Sequence, residues 1–360
     1  MTDFLIIGGG IAGISAAARL SHLGRATVLE AEPHLAHHAS GRSAALYEPN
    51  YGLKPVVGLS VASGDYFRSQ ENVLSKRGLM ILARAGETAK LAEEAADMDL
   101  DPISMDAARA MVPILNDSIV EAAFGDHAWD IDTDLLLQNF AREARGNGGE
   151  IVTHARVTAI AKTATGWAVT TAAGTYEGRV LVNAAGAWAD EVARLAGVRP
   201  VGLQPKRRSA LTFAPPPGLL CSHWPMVASL DESWYMKPDA GMLLASPANV
   251  DPVPPHDVQP EEMDIALAIH RIEEMTTLQI RRPTRTWAGL RSFVADGDLV
   301  GGFDPQAPGF FWVAAQGGYG IQTSAAMGQT CAALAMGQGV PEAVAAFGLT
   351  ADMLSPARWG

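Results

Sequence analysis

The segment FLIIGGGIAGISAAARLSHLG, followed directly by ATVLE, constrains this chain more than any other part of it. Phe4-Leu5-Ile6-Ile7 is a short apolar run of the kind that makes a buried strand. Gly8, Gly10 and Gly13 then form a G-x-G-x-x-G turn, and Ala17, Leu20 and Gly24 recur at helix-packing spacing. ATVLE reads as a second strand ending at Glu30. A β-α-β unit of this length predicts a parallel sheet. The glycines let the backbone approach a pyrophosphate, and the helix N-terminus offers amide donors and the positive end of a dipole. Glu30 stands where an acidic side chain accepts hydrogen bonds from ribose hydroxyls. Gly8, Gly10, Ile11, Ala12, Gly13, Glu30 and Ala31 are therefore the first candidate cofactor contacts. This unit alone leaves FAD and NAD both open.

Two later segments bear on that choice. LVNAAGAWAD reads as a strand running into Ala185 and Gly186, and AQGGYGIQ, residues 315–322, is a second glycine-rich turn that opens a helix near Ile321. A dinucleotide touched by three well-separated segments suits long, extended FAD better than NAD. The second turn contributes Gly317, Gly318, Tyr319, Gly320, Ile321 and Gln322. A helix N-terminus there stabilises the negative charge of a reduced flavin by a fraction of a kcal/mol to ~2 kcal/mol.

Between these landmarks the chain alternates in character. Residues 86–98 and 135–145 read as solvated helices, the second closed by GNGG. Residues 150–182 read as an antiparallel meander that feeds back into the first sheet. Residues 209–248 are again strand-rich, with SWYMKPDAGMLLAS a hairpin turning on Pro-Asp-Ala-Gly. A loop at 251–260 precedes a helix near Glu261, and FFWVAA is a last buried strand. The expected fold class is α/β: a Rossmann-like FAD-binding domain from residues 1–72, 128–198 and 292–360, and a discontinuous antiparallel-sheet substrate domain from 73–127 and 199–291.

Composition excludes several classes. The 360 residues carry a net charge of −12, which argues against a nucleic-acid partner and an anionic membrane surface. Hydrophobic residues make up 48% of the chain, enough for a sizeable core, yet no uninterrupted apolar run approaches the roughly 18–20 residues of a membrane span. Cys221 and Cys331 are far apart without CxxC spacing, so two buried thiols in a reducing cytoplasm are expected rather than a disulfide or a metal site. No basic segment precedes the first strand, so no signal peptide is expected.

The segments SGRSAA (40–45), LVNAAGAW (181–188), GLQPKRRSA (202–210), MKPDAG (236–241), TWAGLRSFVADGDLV (286–300) and FFWVAAQGGYGIQTSAAMG (310–328) carry a resemblance. Across nearly its whole length the chain resembles the flavin-dependent D-amino-acid oxidase and dehydrogenase family, which also holds glycine and sarcosine oxidases. Within it the nearest likeness is to the bacterial D-arginine dehydrogenases. The resemblance implies a D-amino-acid-oxidase-like fold and non-covalent FAD, with Ser40, Gly41, Arg42, Ser43 and Ala44 running along the flavin and Val157 near the adenine. Some relatives join flavin to a histidine; His37 and His38 are read here as uncommitted.

The family likeness also gives meaning to Lys206, Arg207 and Arg208, three adjacent cations in an acidic chain. An amino acid must be held by its carboxylate, and a planar guanidinium grips a carboxylate through two parallel hydrogen bonds. The resemblance assigns that role to Arg208 and Arg291, with Tyr51, Tyr235 and the Gly318 backbone beside them. Lys206 and Arg207 are read as solvated or structural. The implied reaction is hydride transfer from the substrate α-carbon to flavin N5, then hydrolysis of the imino acid to a 2-oxo acid and ammonia, with no obligatory protein base. The electron acceptor, whether a quinone, another carrier or O2, is not specified by any motif.

The chain departs from the D-arginine dehydrogenases where the substrate side chain should sit. Leu46 replaces a histidine and Leu79 aligns with a glutamate, which makes the pocket more apolar. Glu48, two residues from Leu46, shares its face if the segment is extended, and either restores a carboxylate for a cationic side chain or points at water. A broad or apolar-leaning preference among D-amino acids is expected. Three alternatives stay open: an enzyme of secondary amino acids such as sarcosine or cyclic imino acids, an NAD-dependent dehydrogenase, and a flavin-carrying domain that modifies tRNA or acts as a binding module.

Overall fold

A computed structural model describes residues 1–359 of the chain. Its first strand, Thr2–Ile7, is almost wholly buried and pairs in parallel with Ala26–Leu29 on one side and with Gly174–Asn183 on the other. Glu150–Val152 adds a further parallel strand beyond Ala26–Leu29. Leu181–Asn183 also pairs in parallel with Phe310–Trp312, so the two ends of the chain share one eight-stranded sheet. Strands buried on both faces read as continuous apolar runs, which is why FLII and FFWVA lack alternation. The meander Val157–Lys162, Trp167–Thr171 and Gly174–Asn183 is antiparallel and returns into this sheet as expected, but Glu150–Val152, read as its first part, is instead the parallel strand beside Ala26–Leu29.

The helix Ile11–Leu20 packs across the sheet between the helices Thr133–Gly146 and Ser324–Ala335. Its start depends on two glycines. Gly8 has φ +111°, and a Cβ there would lie 2.3 Å from the Ala184 carbonyl oxygen; a Cβ on Gly13 would lie 2.0 Å from the Gly8 carbonyl oxygen. The turn therefore closes only without side chains at these positions.

A second, nine-stranded sheet combines Leu79–Arg84, Asp101–Ile103 and Ile119–Gly125 with strands between Gln204 and Phe293. It is antiparallel except where Met226–Ser229 runs parallel to Leu79–Arg84. The hairpin Tyr235–Asp239/Met242–Ser246 forms as expected, but its turn sits at Ala240 and Gly241, both at positive φ, while Pro238 stays in the strand. Leu46–Tyr47, Trp129–Ile131 and Leu74–Lys76 form a separate antiparallel three-stranded sheet. The helix after the second glycine turn begins at Ser324, three residues later than the glycine pattern places it, because residues 318–323 form a chain of turns first. Both cysteines are buried and unpaired, and among the described residues no helix is long and apolar enough to cross a membrane.

Candidate functional site

A long cleft runs between the two larger sheets, from the first glycine turn to the second, and holds about 1890 Å3 of empty space counting its open mouth.

At one end Gly8, Gly10, Ile11, Ala12, Glu30 and Ala31 line the cleft. The amides of Gly10 and Ala12 meet no acceptor among the described residues, and they are the groups a pyrophosphate would satisfy. The Glu30 carboxylate accepts from the Gly9 amide at 2.5 Å and the Glu32 amide at 2.8 Å. Those bonds fix its orientation and leave lone pairs for ribose hydroxyls. Gly13 faces the Gly8 backbone rather than the cleft.

Along the middle, Ser40, Arg42, Ser43, Ala44, Val157, Ala185 and Gly186 line the wall. Several of their polar groups are already committed. Ser40 Oγ accepts from the Ile11 amide at 2.9 Å and so caps the first helix. The Arg42 guanidinium donates to the carbonyls of Val258 and Ala288 at 3.0 Å each and to Asp257 at 2.5 Å. Arg42 thus ties the short 3-10 helix Ala39–Arg42 to the second sheet, and its charge is spent there. Gly41 is exposed and turned toward the Ala36 carbonyl.

At the far end Gly317, Gly318, Gly320 and Ile321 line the cleft. The amides of Gly318, Gly320, Ile321 and Gln322 meet no acceptor among the described residues. This row of free donors suits an anionic or carbonyl edge, and it lies in the turns before the helix rather than in the helix itself. Tyr319 and Gln322 do not line the cleft. Gln322 is buried and donates to the Tyr51 carbonyl at 3.1 Å and to Ser60 Oγ at 3.0 Å, which positions the loop carrying Tyr51. The Tyr319 ring lies 5.4 Å from the Tyr51 ring, and burial pushes its phenol up to about 12.

The arginines enter from the second sheet. In the strand Gln204–Phe213, Arg207 and Arg208 point to opposite faces. Arg207 is buried beneath the sheet, bonded to Asp264 at 2.9 Å and to Glu261, and is structural. Arg208 points into the cleft, where its Nε donates to the Asn249 carbonyl at 2.8 Å. Lys206 shares the Arg208 face, but its ammonium lies 5.0 Å from the Phe293 ring centroid. Arg291, on the neighbouring strand Arg285–Phe293, also lines the cleft. The Gly317 amide donates to the Ser292 carbonyl at 2.9 Å, which sets the Arg291 guanidinium beneath Gly318. A Cβ on Gly318 would lie 2.7 Å from Arg291 Cζ.

Tyr235 lines the cleft close to Arg208, and the Tyr51 phenol lies close to Arg291. Burial, and then repulsion from Arg291, lower the Arg208 pKa. Neither Arg208 nor Arg291 forms an ion pair with a carboxylate among the described residues. Next to them Ala44, Leu46, Tyr51, Ala228, Tyr235, Leu244, Ala248 and Trp287 pack in one apolar cluster that also holds Leu79.

Glu48 corrects the extended-strand reading. The strand ends at Tyr47, and a turn follows in which the Tyr51 amide donates to the Glu48 carbonyl at 3.2 Å. The Glu48 side chain is 2% exposed and turned inward, where Oε1 accepts from the Asn50 amide at 3.0 Å and faces His127 Nε2 at 3.1 Å. It neither lines the cleft nor reaches water. Asn249, Gly289 and Trp287 were missed by reading the sequence; their places depend on strand register, for which no local motif exists.

Comparison with known proteins agrees with this architecture. The family model described as "FAD dependent oxidoreductase" (DAO) matches residues 3–334. Glycine oxidase of Bacillus licheniformis is 25% identical over 94% of this chain and 94% of its own. Among solved structures, glycine oxidase of Geobacillus kaustophilus has a TM-score of 0.80 at 22% identity, covering 94% of this chain and 95% of the other. The L-α-glycerophosphate oxidase of Mycoplasma pneumoniae, with FAD bound, has a TM-score of 0.84 at 21% identity, covering 92% and 94%. Paired glycine turns with unsatisfied amides, an acidic residue closing the second strand and a cleft joining both turns fit FAD, and the chain belongs to the DAO family of FAD-dependent oxidoreductases.

Proposed function

We propose that the protein oxidises D-amino acids to 2-oxo acids and ammonia, with a preference for apolar side chains. The observation that carries this reading is the pair Arg208 and Arg291: two guanidiniums in one cleft, neither paired with a carboxylate. Two unneutralised cations side by side are costly in a partly buried site, and a ligand carboxylate relieves that cost. Bidentate contacts also fix the carboxylate plane and, through it, the α-carbon.

Bound FAD supplies the acceptor for the hydride that leaves the α-carbon. The chain's own groups orient the substrate. Arg208 and Arg291 hold the carboxylate, the Tyr51 and Tyr235 phenols limit its rotation, and the apolar cluster around Leu46 and Leu79 takes the side chain. Neither arginine has a carboxylate or histidine hydrogen-bonded to it among the described residues, Tyr319 stays protonated near neutral pH, and Glu232, which acts on Tyr319, is exposed. The substrate amine therefore enters neutral or loses its proton to water, so turnover rises with pH.

Anaerobic titration of the yellow protein with D- and L-amino acids tests the reading. Bleaching by D-Leu, D-Met or D-Phe, but not by their L-forms, is the expected result. Bleaching by sarcosine or L-proline alone would move the assignment to secondary amino acids. Admission of air after reduction then separates oxidase from dehydrogenase.

A further inference from the structure

We propose that Glu32, His37 and His38, which line the wall of the cofactor cleft, form a binding site for a divalent transition ion of zinc-like character, apart from the residues that contact substrate. One ligand atom from each lies within 4.8 Å of the other two. His38 Nε2 and Glu32 Oε1 are 3.2 Å apart. Bonds of ~2.0–2.2 Å to Zn2+ put neighbouring tetrahedral ligand atoms roughly 3.3–3.5 Å apart, so this edge needs almost no adjustment. The remaining edges, up to 4.8 Å without an ion, must shorten by about 1 Å on binding to reach tetrahedral spacing.

The surroundings restrain the rings. The His38 ring lies 4.6 Å from the Trp188 ring, and His37 Nδ1 is 3.2 Å from His34 Nε2. The backbone beneath is held by the Ala36 amide on the Gly9 carbonyl at 3.1 Å and by the Gly41 amide on the Ala36 carbonyl at 3.0 Å. Of these, the His34 contact is the one that can orient a ligating ring through its other nitrogen. Two imidazoles and a carboxylate suit Zn2+, Co2+, Ni2+ or Cu2+ and disfavour Mg2+ and Ca2+, which prefer all-oxygen shells.

Arg156 competes for the same carboxylate. Its Nη2 donates to Glu32 Oε1 at 2.8 Å, so an ion must displace that contact. Arg42 is held on Asp257, which keeps that carboxylate, 3.8 Å from His38 Nδ1, from serving as a fourth ligand.

The test is calorimetric titration of the chelator-treated, flavin-loaded protein with Zn2+. One ion per chain is expected, unaffected by millimolar Mg2+. His37→Gln and His38→Gln, each checked for bound flavin and an unchanged melt, should weaken binding at least ~10-fold. Arg156→Ala should tighten it by freeing Glu32. His22→Gln and His270→Gln, altering other histidines that face carboxylates, should leave it unchanged. Absence of saturable binding, or binding that survives the paired His37→Gln and His38→Gln changes, would overturn the proposal.

Discussion

Arg208 and Arg291 are diagonal neighbours on adjacent antiparallel strands: Arg208 pairs with Gly289, and Arg291 pairs with Lys206. Directly paired residues share a face, and so do residues two apart along a strand. All four therefore face the cleft side, and Gly289, with no side chain of its own, lets the Ala39–Arg42 segment pack over the strand, a Cβ there lying 3.5 Å from Arg42 Cβ. The register thus puts both guanidiniums on the cleft side of the sheet.

From this relationship, Arg208→Ala should lower kcat/KM for the preferred amino acid by about 10- to 150-fold, the ~1.5–3 kcal/mol of a hydrogen bond to a charged group. The loss should appear mainly in KM. Arg208→Lys should recover little, because an ammonium cannot grip a carboxylate bidentately. Steady-state kinetics beside the flavin absorbance spectrum checks this, and flavin content should not change.

Its sequence neighbour should behave in the opposite way. Arg207 is 8% exposed and bonds Asp264, which also accepts from Ser209 Oγ at 2.6 Å. Arg207→Ala would leave that carboxylate buried without its cation, a loss of about 3–5 kcal/mol. A lowered thermal midpoint with near-normal KM in the surviving folded fraction is the expected result. Arg208→Ala should melt close to the parent.

Gly318→Ala tests the contact between the second glycine turn and the clamp. The added methyl would lie 2.7 Å from Arg291 Cζ and Nη1, closer than side-chain carbons approach other groups, so the guanidinium must move. KM should rise about 10-fold or more, the ~1.4 kcal/mol of a weakened charged hydrogen bond. Kinetics of Gly318→Ala alone and combined with Arg291→Ala would show whether the two act through one contact. If they do, the double variant should be little worse than Arg291→Ala.

The Glu48–His127 pair gives a pH signature. The hydrogen bond to Glu48 outweighs burial and raises the His127 pKa above its ordinary 6.5. A histidine whose pKa rises on folding binds its proton more tightly when folded. Its contribution to stability is therefore fully present below 6.5 and is lost as pH rises through the folded value. The stability difference between the parent and His127→Gln, from denaturant melts, should be larger at pH 5.5 than at pH 8.5. Because Glu48 faces His127 and not the cleft, Glu48→Gln should lower turnover of D-Arg and D-Leu by the same factor. A selective loss for D-Arg would show that the carboxylate reaches the substrate.

The nucleotide-binding half was legible from local sequence because its requirements are local. A glycine without Cβ, an apolar run long enough for one strand and an acidic residue at the next strand's end each act within a few residues, and Gly8, Gly13 and Glu30 stand where those rules put them. The alternation of Arg207 and Arg208 follows equally from the period of a strand. Glu48 shows where such rules fail: its facing depended on whether the strand continued past Tyr47, and a turn held by Gln322, 271 residues beyond Tyr51, ends it. The pairing of Arg208 with Gly289, the Asn249 carbonyl behind Arg208 and the seating of Arg291 under Gly318 likewise depend on strand register and on contacts between remote segments. Register comes from the packing of whole faces against one another, and no short stretch of residues encodes it.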